Sequence, residues 1–141
     1  MGPRHLIVSL PNTPGNLSQV SELLGKNGVD IKAVTCNTDS GKGILCIVLD
    51  DHDKGKLVLS ANGYDVKESP IIAAFAPDHP GGLNAMVCPL SDAGVNIEKL
   101  YLSVGRKGEH NLIIIQVDDY DKGVTALKNN YVELIEGKFK F

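Results

Sequence analysis

Cysteine is scarce in this chain, and its few cysteines suggest no pairing. Three of them stand at positions 36, 46 and 88 among 141 residues, an odd number with no Cys-x-x-Cys spacing. That pattern supports neither a disulfide framework nor a zinc site. Each lies in an apolar run, where a free thiol packs as a small hydrophobe, and Cys36 and Cys46 on hairpin-paired strands are expected in the core. Long apolar runs are missing too. No stretch approaches the ~20 residues that span a bilayer, so no membrane partner is expected. The start, Met1-Gly2-Pro3-Arg4-His5, runs straight into strand-like sequence without the pattern of a signal peptide. With free thiols, this leads to an expected cytoplasmic location.

Charge of one sign is lacking as well. Formal net charge is -3, with 14 basic and 17 acidic side chains. Residues through Pro70 hold 7 basic and 8 acidic groups, and the remainder 7 and 9. Neither half has the basic surplus that phosphate-backbone binding needs, which excludes nucleic acid as partner. The histidines at 5, 52, 79 and 110 lack metal-ligand spacing. The clusters Asp50-Asp51-His52-Asp53 and Asp118-Asp119-Tyr120-Asp121 lack the one-three-five spacing and distant Glu of a calcium loop. They read as helix caps and dipole partners. No Ser, Cys or Lys stands beside a plausible base in sequence. Metal, cofactor and catalytic residues are therefore not expected, and the chain reads as a non-enzyme.

What is present is an internal repeat in a chain of ordinary globular composition, 43% hydrophobic and 22% charged. Pro14-Gly15-Asn16-Leu17 returns as Pro80-Gly81-Gly82-Leu83, an offset of 66. At the same offset Gly28-Val29-Asp30-Ile31 becomes Gly94-Val95-Asn96-Ile97, and Pro11 becomes Pro77. Asp50-Asp51-His52-Asp53-Lys54-Gly55 returns as Asp118-Asp119-Tyr120-Asp121-Lys122-Gly123, now at 68. The two extra residues fall around Gly105 to His110, which reads as a turn, where a duplicated domain tolerates insertion. Two domains are expected, residues 1–70 and 71–141.

Each repeat reads as strand, helix, strand, strand, helix, strand. In the first, His5 to Leu10 is an apolar strand closed by Pro11. A helix from about Gly15 places Leu17, Val20, Leu23 and Leu24 on one face and ends at Gly28. Strands are expected over Val29–Thr38, Gly43–Leu49 and Tyr64–Ser69, with a second helix from Asp50 or Asp51 to about Asn62 that turns Leu57 and Val58 inward. The second repeat follows with strands Ile71–Ala76, Val95–Val104 and Asn111–Val117. Its helices run from Gly81 to Ala93 and from Asp119 or Tyr120, and a last strand begins near Val132. Pro89 is expected to kink or break its first helix. The tail 137–141 alternates and reads as an edge strand.

This order predicts an α+β protein of two ferredoxin-like βαββαβ repeats, antiparallel sheets with helices on one face. The fold hosts many functions. RNA-recognition domains of this topology stack bases on third-strand aromatics, but Gly43–Leu49 and Leu112–Val117 have none. Neither first loop, Asn12-Thr13-Pro14-Gly15 or Asp78-His79-Pro80-Gly81, holds the cysteine pair of a metal chaperone or the glycine-rich run of a nucleotide site.

Both loops resemble those of the ACT family, the small-molecule-sensing domains attached to amino-acid metabolic enzymes. In that family Asn or Asp precedes Pro-Gly-x-Leu at the first helix, and Gly-Val-Asn-Ile opens the second strand; the first stretch occurs here twice, and the second as Gly94-Val95-Asn96-Ile97 and, with Asp for Asn, as Gly28-Val29-Asp30-Ile31. The resemblance implies a tandem ACT protein that binds an amino acid and regulates by assembly or by docking on a metabolic enzyme. It implies effectors at ACT–ACT interfaces, one domain giving the Pro-Gly loop and a neighbour its second strand, built within the chain or by a homodimer. The repeats span nearly the whole sequence, so no catalytic domain is expected within it. The alternative is a regulatory or interaction subunit of an amino-acid biosynthetic enzyme that has lost its ligand.

The residues make physical sense as such a site. Helix-start N–H groups at Gly15 and Gly81 point outward unpaired and, with the helix dipole, suit a carboxylate. Glycine lets a ligand approach the backbone. Asn12 and Asp78 can accept from an α-ammonium. Asp30 and Asn96, expected at the same sheet end as the loops, add another polar group. The candidate set is Asn12, Pro14, Gly15, Asn16, Leu17, Asp30 and Ile31, with Asp78, His79, Gly81, Gly82, Leu83, Asn96 and Ile97. From spacing alone the same residues are also plain helix caps. His79 reads either as a ligand contact or as solvated, and Tyr101 either borders a pocket or packs in the sheet.

Overall fold

The computed structural model describes residues 2–75, 77, 79–104 and 111–137. The chain forms two compact units, Arg4–Ser69 and Pro70–Gly137, with Gly2 and Pro3 belonging to the latter. Pro3 O accepts from Ile71 N at 3.0 Å, which ties that start to the second unit.

The first unit runs β1 (Arg4–Pro11), α1 (Asn16–Lys26), β2 (Ile31–Asp39), β3 (Lys42–Leu49), α2 (His52–Ala61) and β4 (Asp65–Pro70). Its sheet order is β2-β3-β1-β4. Side chains alternate across a strand. One parity of β1 and β3, namely Leu6, Val8, Leu10, Leu45, Ile47 and Leu49, forms a buried cluster with Val20 and Leu24 of α1 and Leu59 of α2. Each such aliphatic contributes about 1.5–3 kcal/mol on burial. Helix α2 lies close on this sheet because Gly55 has no side chain; a Cβ there would collide with Leu49 Cδ1.

The second unit runs β5 (Ile72–Phe75), α3 (Gly82–Asp92), β6 (Ile97–Leu102), β7 (Leu112–Val117) and α4 (Tyr120–Asn129). Its three-stranded sheet has the order β5-β7-β6. The core repeats the first pattern: Ile72, Ala74, Ile113, Ile115 and Val117 pack with Met86, Leu90 and Leu127. The antiparallel sheets and four helices make the α+β, doubly ferredoxin-like architecture read from the sequence.

Several local expectations are corrected. Leu17 is 45% exposed and Leu57 71%, so Val20 and Leu24 anchor α1 while Gly55 and Leu59 anchor α2. A helix phased by Gly55 and Leu59, four apart, turns position 57 to the far side. Cys46 is buried but Cys36 is exposed. Cys36 lies on the edge strand β2. Cys88 is exposed on α3, its thiol 3.7 Å from Asp92 Oδ2. Helix α3 is not broken at Pro89 but runs three residues beyond it. Proline there forfeits one amide donor in the last turn, and its ring is buried with Leu90. No full strand begins at Val132; Leu134 makes one antiparallel bridge to Ala74, and Ile135 N donates to Ala73 O. Tyr101 packs in the sheet, 8% exposed. The turn at 105–110 and the alternating tail beyond Gly137 lie outside the described residues.

Candidate functional site

In the first repeat the loop after β1 is built by Asn16. Its Nδ2 donates to Pro11 O at 2.8 Å and to Thr13 O at 3.1 Å, and Thr13 N donates to Pro11 O at 2.9 Å. Gly15 is the helix N-cap at φ 92°, a left-handed conformation that favours glycine. It has no side chain to cap the helix, and nothing lies within 4 Å of where a Cβ would stand. The start of α1 is thus bare backbone open to approach from outside.

The second repeat reaches the same geometry by other means. Gly81 is the N-cap of α3 at φ 82°, also open for 4 Å, and Gly82 N donates to His79 O at 2.9 Å. In place of Asn16 stands Gly82, buried, where a Cβ would lie 2.5 Å from Pro77 O and 2.9 Å from Pro77 Cβ. One loop is closed by a side-chain amide and the other by backbone packed where that side chain would be. His79 is exposed, its Nδ1 donating to Pro80 O at 2.9 Å. Asn12, Pro14, Leu17 and Leu83 are exposed. Asp78 lies outside the described residues.

The second-strand residues are not where the sequence reading placed them. Leu10 pairs with Gly43 and Pro11 with Lys42, whereas Ile31 pairs with Leu49. The Pro-Gly loop and the start of β2 therefore sit at opposite ends of the sheet, seven strand steps or about 20 Å apart. The second repeat agrees: Phe75 pairs with Leu112, but Ile97 with Val117. The reason is topological. A helix that crosses back antiparallel to β1 returns the chain to the end where β1 began. Asp30, Ile31, Asn96 and Ile97 cannot touch a ligand held by the loop of their own repeat.

At each of these β-strand starts the sequence reading missed a partner. Asp50 Oδ1 accepts from Asp30 N at 2.8 Å, and Asp118 Oδ1 accepts from Asn96 N at 3.0 Å. Helix capping falls instead to the next residues, as Asp51 accepts from Lys54 N and Asp119 from Lys122 N. The doubled Asp-Asp was the available signal, since one aspartate suffices for a cap. Beside Asn96 a shallow, open depression is lined by Val87, Ser91, Gly94, Val95, Asn96 and Ile97.

At that same end of the first sheet, Glu68 gathers three basic groups. Arg4 Nη1 lies 3.2 Å and Lys56 Nζ 3.3 Å from its Oε1, and His52 Nε2 2.7 Å from its Oε2. The His52 hydrogen bond, helped by Lys56, holds the carboxyl below its ordinary 4.5 against the opposing effect of burial. A lowered carboxyl contributes stability that is fully present above the unfolded value and lost as pH falls through the folded one. Glu68→Gln should therefore cost roughly 0.5–1 kcal/mol at pH 7 for so partly exposed a group. The gap to wild type should narrow in urea titrations as pH falls from the ordinary 4.5 through the lowered folded value, and a gap independent of pH would refute this. Among the described residues no three His, Cys, Asp or Glu side chains converge as metal ligands. No helix there is long and apolar enough to cross a membrane.

Two ferredoxin-like repeats, each with an open glycine-capped helix start after its first strand, define a tandem α+β architecture. The model of the ACT domain pair matches residues 1–139, and the chain belongs to that family. A search of curated proteins finds no match. Among solved structures, a protein from Bacteroides thetaiotaomicron is 28% identical, with TM-score 0.87 over 96% of this chain and 93% of that one. The ligand-free regulatory subunit of aspartate kinase from Thermus thermophilus is 14% identical, with TM-score 0.63 over 93% and 94%. The regulatory subunit of aspartate kinase from Thermus flavus is 15% identical, with TM-score 0.58 over 93% and 94%. The two Thermus likenesses, at such identities, establish shared fold.

Proposed function

We propose that this chain is a non-catalytic, cytoplasmic regulatory protein that binds a free amino acid and passes the signal to a metabolic enzyme. The carrying observation is the pair of glycine N-caps, open for 4 Å, at the starts of α1 and α3. Bare N–H groups at a helix start suit a carboxylate without a counter-charged side chain. Because loop and second-strand start lie about 20 Å apart within a repeat, a ligand that uses both is held where two ACT repeats meet. A homodimer provides such meetings. Structural likeness to regulatory subunits of aspartate kinase supports an enzyme partner.

A thermal-shift screen of the twenty amino acids tests this. A ligand at a hundredfold excess over Kd raises stability by about 2.7 kcal/mol. One or a few amino acids should give such a shift, and the carboxamide of each hit should give none, since it lacks the anion. Flat curves for all twenty, confirmed by calorimetry, would sink the reading. A second reading, an interaction subunit without ligand, is favoured by exposed apolar residues at the end of β6 and just beyond it, with Leu102 53% and Val104 64% exposed. Enzyme capture indifferent to every amino acid would select it.

A further inference from the structure

Helices α1, α2 and α4 end on asparagine, and the cap is built the same way each time. Asn27, Asn62 and Asn130 are the C-caps. Each side-chain amide donates at 2.8 Å to the carbonyl four residues back, Leu23 O, Val58 O and Ala126 O. The following N–H donates to Gly25 O, Ser60 O and Lys128 O, and the one after it to Leu24 O, Leu59 O and Leu127 O. This is the Schellman ending, with its left-handed position filled by Gly28, Gly63 and Tyr131.

Asparagine followed by glycine is chemically reactive. The glycine nitrogen can attack the side-chain Cγ, and no Cβ obstructs the approach. At Asn62 both reactants are held, Gly63 N–H on Ser60 O and Nδ2 on Val58 O, so the reaction waits for the last turn to open. The three caps differ in what opening disturbs. Ser60, Ala61, Asn62 and Gly63 are all exposed and Tyr64 is half-buried, so the end of α2 opens without uncovering core. Asn27 is itself half-buried, and buried Val29 pins the chain just beyond it. Asn130 is exposed, but the side chain of Tyr131 hinders attack by its nitrogen.

We propose that Asn62 is a site of spontaneous deamidation, gated by opening of the last turn of α2. As Gly63 N bonds to Asn62 Cγ, the Cγ–Nδ2 bond breaks and the amide proton leaves with Nδ2 as ammonia, closing a succinimide. Water opens that ring at either carbonyl, giving aspartate or isoaspartate, and is the only co-reactant. The product sets a carboxylate at the negative end of the helix dipole, facing Val58 O that it can no longer donate to. Isoaspartate also adds a methylene to the main chain and breaks the bond from Tyr64 N to Leu59 O. The turn into β4 loosens irreversibly.

Peptide mapping by mass spectrometry of the full chain, aged in mildly alkaline buffer with and without urea, provides the test. In the native chain Asn62 should exchange NH2 for OH severalfold faster than Asn27 or Asn130. In urea Asn27 should catch up while Asn130 stays slow, because only the hindrance of the next side chain survives unfolding. Ala61→Gly, which weakens the last turn, should speed Asn62 and leave Asn27 unchanged. Aged chain should unfold at lower urea than fresh chain, whereas Asn62→Gln, which must close a larger ring, should keep its fresh midpoint. No exchange at Asn62 in the native chain, Asn27 keeping pace with it there, or a native rate equal to that in urea would overturn the proposal.

Discussion

Replacing Gly82 by asparagine, the residue its counterpart at position 16 carries, should destabilise the second unit by about 2–3 kcal/mol. By repeat logic the change looks conservative. Asn16 closes its loop with bonds to Pro11 O and Thr13 O, and a matching asparagine would seem able to reach Pro77. Packing forbids it. A Cβ at position 82 would lie 2.5 Å from Pro77 O and 3.2 Å from Pro77 C, both backbone atoms, and 2.9 Å from the proline Cβ. None of these is the free end of a flexible side chain, so the loop or the first turn of α3 must move. Denaturant unfolding of Gly82→Asn against wild type reads the cost directly. A change under about 0.5 kcal/mol, the range of ordinary surface substitutions, would mean that the Pro77 segment yields freely.

Substituting valine at both Gly15 and Gly81 should erase the amino-acid-dependent stabilisation of about 2.7 kcal/mol at a hundredfold excess over Kd. The fold itself should survive, since the space around both positions is empty for 4 Å. Survival has a cost. Both residues sit in the left-handed region, at φ 92° and 82°, where an L side chain costs roughly 1–2 kcal/mol each. The unliganded melting temperature of the double variant should therefore drop, and the ligand shift must be measured from that lower baseline. Two effects then act on binding: the methyl groups obstruct the helix start, and backbone relief from strain turns its N–H groups. Retention of the whole shift in the double variant would exclude both loops as the carboxylate site. The single variants then say which loop is used.

Much of the fold was legible because it rests on local, repeated signals. Pro-Gly at a helix start, glycine at its end, and apolar alternation in β1 and β3 are properties of short segments, and duplication showed each twice. The errors came where a neighbour decides. Leu57 looked internal by hydrophobicity, but Gly55 and Leu59 phase α2 against the sheet. Pro89 looked fatal to α3, but its position one turn from the helix end and the burial of its ring outweigh one missing hydrogen bond.

The candidate site divides the same way. The glycine loops were readable from sequence, because positive φ and bare N–H groups are local consequences of residue type and helix termini. Their distance from Asp30 and Asn96 was not, because antiparallel registry places loop and second strand at opposite sheet ends whatever the residues are. The partners of Asp30 N and Asn96 N were hidden for a related reason. They are Asp50 and Asp118, and only strand pairing and the helix connections bring the two aspartates within hydrogen-bond reach. The amino-acid sequence by itself determined the doubling, the element order as far as α4 and the two open helix starts. Tertiary structure decided what the residues that differ between the copies do, since the partners of a side chain are set by what packs beside it.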